Sequence, residues 1–187
     1  LGRHRAEGDW ARVKGVFRRS VGLAALASSV AAAALYAFAP FLAETCFAAP
    51  ALTGIFRIMS LAILPVALFN LAGEGLKGLG RVRDAQFVIT FCHHFLLMAG
   101  MVGLLAASQA ESLPAVAWGY VAAAAATAGM GGLLWRAATP HLRGVAGGYP
   151  LRDLMATALP LLCVNLLVLL NSRTINIILG FFGTAEE

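Results

Sequence analysis

Three polar side chains near the end of the chain are the strongest candidates for binding chemistry. Asn165, Arg173 and Asn176 fall within about one quadrant of a helix that turns about 100° per residue. A guanidinium presents a fork of donors that suits phosphate, and amides suit hydroxyl groups or bridging water. An ionisable group inside a membrane span is expensive, so this face predicts a water-filled cavity that favours an anion. Alternatively, Arg173 reaches the outer membrane interface and only anchors its helix.

Arg57, His93 and His94 are weaker candidates. Arg57 lies about one turn inside a predicted span, where it either lines the same cavity or extends to water. Imidazole titrates near neutrality, so the two histidines are candidates for proton coupling. The alternative for His93 and His94 is hydrogen bonding between helices.

The acidic residues narrow the substrate class. All nine Asp and Glu residues lie in predicted loops or at the edge of a span, and Glu74 is predicted to pair with Lys77. A site for cationic substrates requires a carboxylate in the bilayer, so a cavity whose charges are Arg and His favours an anionic substrate.

The sequence contains no constellation that indicates catalysis. It has no Gly-rich phosphate loop, no paired carboxylates, and no metal or disulfide spacing among Cys46, Cys92 and Cys163. We therefore predict no enzyme activity, no cofactor and no metal.

The composition identifies the elements that must position these groups. The chain has 187 residues, of which 60% are hydrophobic and 12% charged, and its mean hydropathy is +0.80. A span needs roughly 20 apolar residues, and the sequence predicts an all-α, polytopic transmembrane helix bundle with spans at residues 20–42, 52–75, 86–108, 114–135 and 154–182.

Clusters of basic residues predict the topology. Twelve of the 14 Lys and Arg residues lie in three stretches, at residues 3–19, 77–83 and 136–152. Cationic loops stay on the cytoplasmic side, so the chain is predicted to start inside, cross five times and end outside. The net charge of +5 follows from this rule and does not indicate nucleic acid.

Three segments carry further signals. Residues 1–19 are predicted to form an interfacial amphipathic helix that runs into the first span. Small residues, including Ala31 to Ala34, predict that the first span is buried against other helices. Pro65 predicts a kink in the second span. The ends of the chain read as a loop and a region just past a span, so we expect an internal piece of a longer protein.

Three motifs resemble bacterial polysaccharide flippases of the multidrug/oligosaccharidyl-lipid/polysaccharide exporter superfamily. The family's loop after its second helix is similar to residues 5–10 followed by residues 18–20. The family's turn after a proline-broken helix is similar to residues 76–81. Residues 177–187 resemble the start of the family's second half, so the chain would correspond to helices three to seven.

The resemblance implies an alternating-access transporter with two bundles around a cationic cavity. Residues 20–135 would supply four helices of the N-terminal bundle, residues 136–153 a cytoplasmic linking loop, and residues 154–187 the first helix of the C-terminal bundle. The implied substrate is an undecaprenyl-diphosphate-linked oligosaccharide, moved across the bacterial inner membrane. Membrane lipid, a glycan polymerase and glycosyltransferases are the implied partners. Many relatives have an acid at the position of Ile175, which puts an ion-coupling role there in doubt.

Two other functions stay open at this point. One is an ion-coupled drug or metabolite antiporter of the same superfamily, against which the lack of acids in the spans argues. The other is a membrane assembly subunit that transports nothing and needs no cavity.

Overall fold

The computed structural model describes residues 1–106, 112–142, 144–156, 158–164 and 167–168. All regular structure in these ranges is helical, which confirms the predicted all-α class. The chain divides into two units, Leu1–Gly148 and Tyr149–Glu187.

The first unit runs up and down through successive helices. In chain order these are α1 (Gly2–Ala6), α2 (Trp10–Phe41), a π-helix (Leu42–Cys46), α3 (Leu52–Ser60), α4 (Ile63–Gly78), α5 (Val82–Gln86), a second π-helix (Phe87–Cys92), α6 (His93–Ala106), α7 (Leu113–Ala138) and a 3-10 turn (Pro140–Leu142).

Four helical stretches are long and apolar enough to cross a membrane. They are Trp10–Cys46, Leu52–Gly78, Val82–Ala106 and Leu113–Ala138. Each contains most of a span that the sequence predicts, so the first four predicted spans are confirmed.

The first span is longer than predicted because residues 10–19 of the amphipathic stretch are continuous with it, whereas residues 2–6 form a separate short helix. Gly8 has a φ of 72°, which is incompatible with a right-handed helix and separates α1 from α2. The Asp9 side chain then caps α2 by accepting a hydrogen bond from the Arg12 backbone N–H at 3.0 Å. Nothing between residues 10 and 41 interrupts the helix, so a single helix of 32 residues results.

The predicted burial of the first span is wrong for the described chain. Of α2, only Val13, Gly15, Ser28 and Ala39 are buried. Ala31, Ala33 and Ala34 are exposed. α2 packs on α3 and α4, and these contacts leave the alanine-rich stretch uncovered.

The second span is broken where Pro65 predicts a kink. α3 ends at Ser60 and α4 begins at Ile63. Between them, the backbone N–H groups of Leu61 and Ala62 bond to carbonyls three residues back, at 3.1 and 3.0 Å. Pro65 has no N–H to offer the carbonyl of residue 61, so the α-helical ladder cannot continue through this point.

Glycine allows α4 to pack closely on its neighbours. A Cβ on Gly75 would lie 2.8 Å from the Phe17 ring and 2.9 Å from the Trp135 ring. On α7, a Cβ on Gly131 would lie 3.0 Å from the Cβ of Ala72. Close approach of backbones is the usual basis of helix association in lipid, where apolar side chains gain little by leaving the solvent.

One end of the first unit, here called the cationic end, contains residues from all three basic stretches. Lys14 Nζ donates hydrogen bonds to the carbonyls of Leu142 and Val145 at 2.9 and 2.8 Å. The Arg5 side chain lies against Gly80, whose φ of +70° allows the turn after α4. The apolar side chains at this end form the basal cluster, made of Leu1, Trp10, Val13, Phe17, Leu79, Trp135, Ala138 and Leu142.

The second unit is described in part. Residues 151–156, 158–164 and 167–168 are helical, so the helix begins three residues before the predicted start of the fifth span. The rest of the span predicted at residues 154–182 lies outside the described residues.

Candidate functional site

The predicted site residues divide into two groups. Asn165, Arg173 and Asn176 lie outside the described residues, so their shared face stays a prediction. Arg57, His93 and His94 are described, and the structure assigns them three different environments.

Arg57 projects from α3 and lies over the aromatic ring of Tyr36 on α2. The guanidinium carbon is 5.2 Å from the ring centroid, which is the geometry of a cation–π contact. The side chain is otherwise exposed, and within the described ranges no carboxylate lies within ion-pair distance of it. Tyr36 therefore orients a cation that has no acidic partner in this part of the chain.

His93 lies in the interior, where α4, α6 and α7 meet. The residue is 8% exposed, and its ring stacks on Phe69 of α4 at a centroid distance of 5.0 Å. Tyr120 of α7 contacts the same ring edge-on at 5.6 Å. The Nδ1 atom is buried and has no hydrogen-bond partner among the residues that the structure describes. The aromatic side chains around this imidazole pack against it but offer Nδ1 no hydrogen bond.

His94 lies on an exposed side of the same helix. Its Nδ1 is 2.6 Å from the carbonyl oxygen of Thr90, and because a carbonyl only accepts, Nδ1 carries the hydrogen. The His94 ring borders a groove of about 340 Å³ that is lined also by Thr90, Phe91, Phe95 and Met98.

The structure does not bring Arg57 together with the histidines. Arg57 contacts α2, whereas His93 contacts α4 and α7, and no ring contact, hydrogen bond or ion pair found in the described ranges joins them. His93 and His94 are in ring contact at 5.7 Å, but one is buried and the other is exposed.

The described carboxylates of the four spans lie near the span ends. Glu74 pairs with Lys77 at 2.6 Å, four residues before the end of α4, which confirms the predicted pair. Asp84 pairs with Arg81 at 3.3 Å beside the turn after α4. Glu44 lies in the π-helix that ends the first span. Within the described residues, the middle of each span is therefore free of carboxylate.

Two cavities lie between helices. An apolar cleft of about 230 Å³ separates α6 from α7 and is lined by residues that include Leu104, Gly119 and Tyr120. A smaller pocket of about 180 Å³ opens at the cationic end beside Lys14, Arg136 and Thr139. The first is suited to a hydrocarbon chain and the second to a polar or anionic group.

Sequence reasoning missed three features of this region. The contact of Tyr36 with Arg57 is tertiary, and the sequence carries no signal for it. Phe87, Phe91 and Phe95 stack at 5.5 and 5.7 Å along one side of the third span, a pattern that the four-residue spacing would have revealed. The π-helix at Phe87–Cys92 has no signal in the sequence.

In the described residues, four apolar spans are joined by loops, and contacts of Lys14 and Arg5 join segments of the three basic stretches at one end of the first unit. These features define a multi-pass membrane protein built as a helix bundle. The sequence profile of the family described as polysaccharide biosynthesis protein matches residues 9–187, and the chain belongs to this family. The match confirms the resemblance drawn from the loop and turn motifs. No curated protein matches the chain, and no solved structure does.

Proposed function

We propose that this chain is part of a flippase that moves undecaprenyl-diphosphate-linked oligosaccharides across the bacterial cytoplasmic membrane by alternating access. The observation that carries the proposal is the exposed guanidinium of Arg57, held on Tyr36 in a set of spans whose described middles carry no carboxylate. Such a charge distribution attracts an anion and repels none. Membership of the polysaccharide biosynthesis family supports a glycan-linked anion as the cargo.

The orientation in the membrane follows from the cationic end. Lys14 and Arg5 contact loops from the other two basic stretches, so the three stretches share one end. By the positive-inside rule this end faces the cytoplasm. The first residues would then be cytoplasmic, and the end of the fifth span that the sequence predicts would be periplasmic.

Arg57 would bind the diphosphate near the outer side. α3 begins at Leu52, away from the cationic end, and Arg57 lies five residues further along the helix. Its planar donors fit phosphate oxygens, and Tyr36 reduces the number of orientations that binding must select. Arg173 would provide the second cation, and Asn165 and Asn176 would bond sugar hydroxyls or bridging water.

The chain itself would move the cargo without altering it. We propose no catalytic residue, no metal and no cofactor; the substrate and its lipid environment are the partners, together with the polymerase and glycosyltransferases of the same pathway. The break before Pro65 would supply the bending that alternating access requires. His93 and His94 would couple transport to protons.

Replacement of Arg57 tests the proposal in the full-length protein. The test strain lacks the chromosomal copy and is complemented with unchanged protein, Arg57→Ala or Arg57→Lys, and surface glycan is quantified. A hydrogen bond to a charged group contributes about 1.5–3 kcal/mol, so we expect Arg57→Ala to lower export by about ten- to hundredfold. Arg57→Lys should recover part of the lost export, since the positive charge is restored without the planar set of guanidinium donors.

Arg83→Ala is the control because it removes another exposed cation, which lies in α5 beside the turn at the cationic end. It should leave export unchanged, and all variants should reach the membrane in equal amounts. Lipid-linked precursor should accumulate in the cytoplasmic leaflet of the Arg57→Ala strain. Normal glycan with this variant would contradict the role of Arg57.

Two outcomes would favour the alternatives. Efflux of ethidium by the unchanged protein, in a strain without other pumps, would indicate a drug antiporter. Export that persists without this protein, but loses chain-length control, would indicate an assembly subunit.

A further inference from the structure

The third span contains a π-helix directly before the two histidines. Phe87–Cys92 is π-helical, with α5 before it and α6 after it. A π-helical turn holds one more residue than an α-helical turn. Such turns are rare in proteins, and those that occur are often found at functional sites. The extra residue sets the rotation of α6 about its axis relative to α5. It therefore decides which residue of α6 faces the interior.

The present rotation places an unsatisfied imidazole inside. His93 is buried between Phe69 and Tyr120, and within the described ranges its Nδ1 has no hydrogen-bond partner. His94, about 100° away, is exposed and bonded to Thr90. A buried polar atom without a partner is unfavourable, and a buried charge without a partner is far more so.

Conversion of the π-helix to an α-helix would rotate α6 by one residue position. With α5 in place, each residue of α6 would move to the position that the next residue now occupies. His93 would leave the interior for the present position of His94, beside the exposed groove. Cys92, which is already buried, would take the place of His93, and a thiol is compatible with apolar surroundings.

We propose that the π-helix and His93 form a proton-sensitive switch of the helix rotation. Neutral His93 stays in the interior and keeps the π-helix, whereas protonation drives the ring out and the segment tightens to an α-helix. Among the described residues, the titratable groups in ring contact with His93 are Tyr120 of α7 and His94 of its own helix. The contact from α4 is Phe69, which does not titrate. The switch does not depend on the identity of the transported molecule.

Two cysteine pairs distinguish the two rotations. A Cβ on Gly119 would lie 3.7 Å from Leu104 Cδ1, so Leu104→Cys with Gly119→Cys reports the present rotation. After a shift of one position, Gly103 would occupy the place of Leu104, and Gly103→Cys with Gly119→Cys reports the second rotation. Cys46, Cys92 and Cys163 are replaced by Ala in both. The full-length protein is treated in membrane vesicles with a short bifunctional thiol reagent at about pH 8 and about pH 5.5, on either side of the usual histidine pKa.

We expect the ratio of the 103–119 product to the 104–119 product to rise severalfold at the lower pH. Thiol reactivity itself depends on pH, so the ratio is compared with that of His93→Gln under the same conditions. His93→Gln should hold the ratio constant, and the matched variant His94→Gln should leave the rise intact. A ratio that does not respond to pH with His93 present would overturn the switch, and so would an equal rise in His93→Gln.

Deletion of Phe91 tests the role of the π-helix in the switch. Removing one residue converts the segment to an α-helix, while α5 and α6 keep their present rotation about the helix axis. The ratio should then stay low at both pH values although His93 remains. A normal rise in this variant would show that the rotation does not use the π-helix. Because cross-linking is measured without transport, failure of the flippase proposal would leave these results unaffected.

Discussion

Addition of a single methyl group at Gly75 should destabilise the cationic end of the bundle. In Gly75→Ala the new Cβ would lie 2.8 Å from the Phe17 ring and 2.9 Å from the Trp135 ring. These two rings stack face to face with centroids 3.5 Å apart, at an angle of 12°, so neither can retreat without disturbing the other. Overpacking of this kind costs about 1–3 kcal/mol.

The helix propensity of Ala opposes this effect and supplies the control. Replacing Gly by Ala in a helix gains about 1 kcal/mol, so the net change in Gly75→Ala ranges from about zero to a loss of 2 kcal/mol. At Gly132 of α7, no atom of the described residues beyond the adjacent helix backbone lies within 4 Å of the new Cβ, so Gly132→Ala should show the gain alone. The two variants should differ in stability by about 1–3 kcal/mol.

Thermal unfolding of purified protein in detergent measures the difference. For chains of about this length, 1 kcal/mol corresponds to about 2–4 °C, so Gly75→Ala should unfold about 2–12 °C below Gly132→Ala. Gly131→Ala, whose Cβ would lie 3.0 Å from Ala72 Cβ, should fall between them. Equal melting temperatures for Gly75→Ala and Gly132→Ala would refute the close packing of α4 on Phe17 and Trp135.

Two further changes test other contacts. Lys14→Met removes two hydrogen bonds from an ammonium group to the carbonyls of Leu142 and Val145, so it should lower the unfolding free energy by about 3–6 kcal/mol. Arg12→Met, on an exposed pair with Asp9, should change it by less than about 1 kcal/mol, and equal losses in a denaturant titration would contradict the assignment. His93→Phe fills the same space between Phe69 and Tyr120 without an unpaired nitrogen, so it should raise the melting temperature relative to His94→Phe. A lower melting temperature for His93→Phe would show that Nδ1 has a hydrogen-bond partner in the folded protein.

The sequence predicts much of this fold because lipid restricts the choices. Apolar length locates the four described spans, and the basic stretches predict which loops share an end, as the contacts of Lys14 and Arg5 show. Pro65 marks the break in the second span because its missing N–H is a property of the residue itself. These are local properties, and tertiary contacts do not alter them.

Rotations about helix axes and contacts between helices are harder to predict. Small residues at Ala31 to Ala34 suggest close packing, yet which helix covers them depends on the rest of the bundle. The adjacency of His93 and His94 guarantees that they face different directions, but the π-helix decides which one faces inward. Tyr36 and Arg57 are 21 positions apart, and only the packing of α3 on α2 brings them together.

The basal cluster has a consequence for biosynthesis. Lys14 and Leu142 are separated by 128 positions, so the start of α2 can acquire its complete cover only after α7 has been synthesised. Until then Val13 and Trp10 emerge from the ribosome without the surface that later encloses them. A nascent chain truncated before Trp135 would keep these side chains accessible to chaperones and proteases, and completion of the fourth crossing would act as the checkpoint for the whole unit.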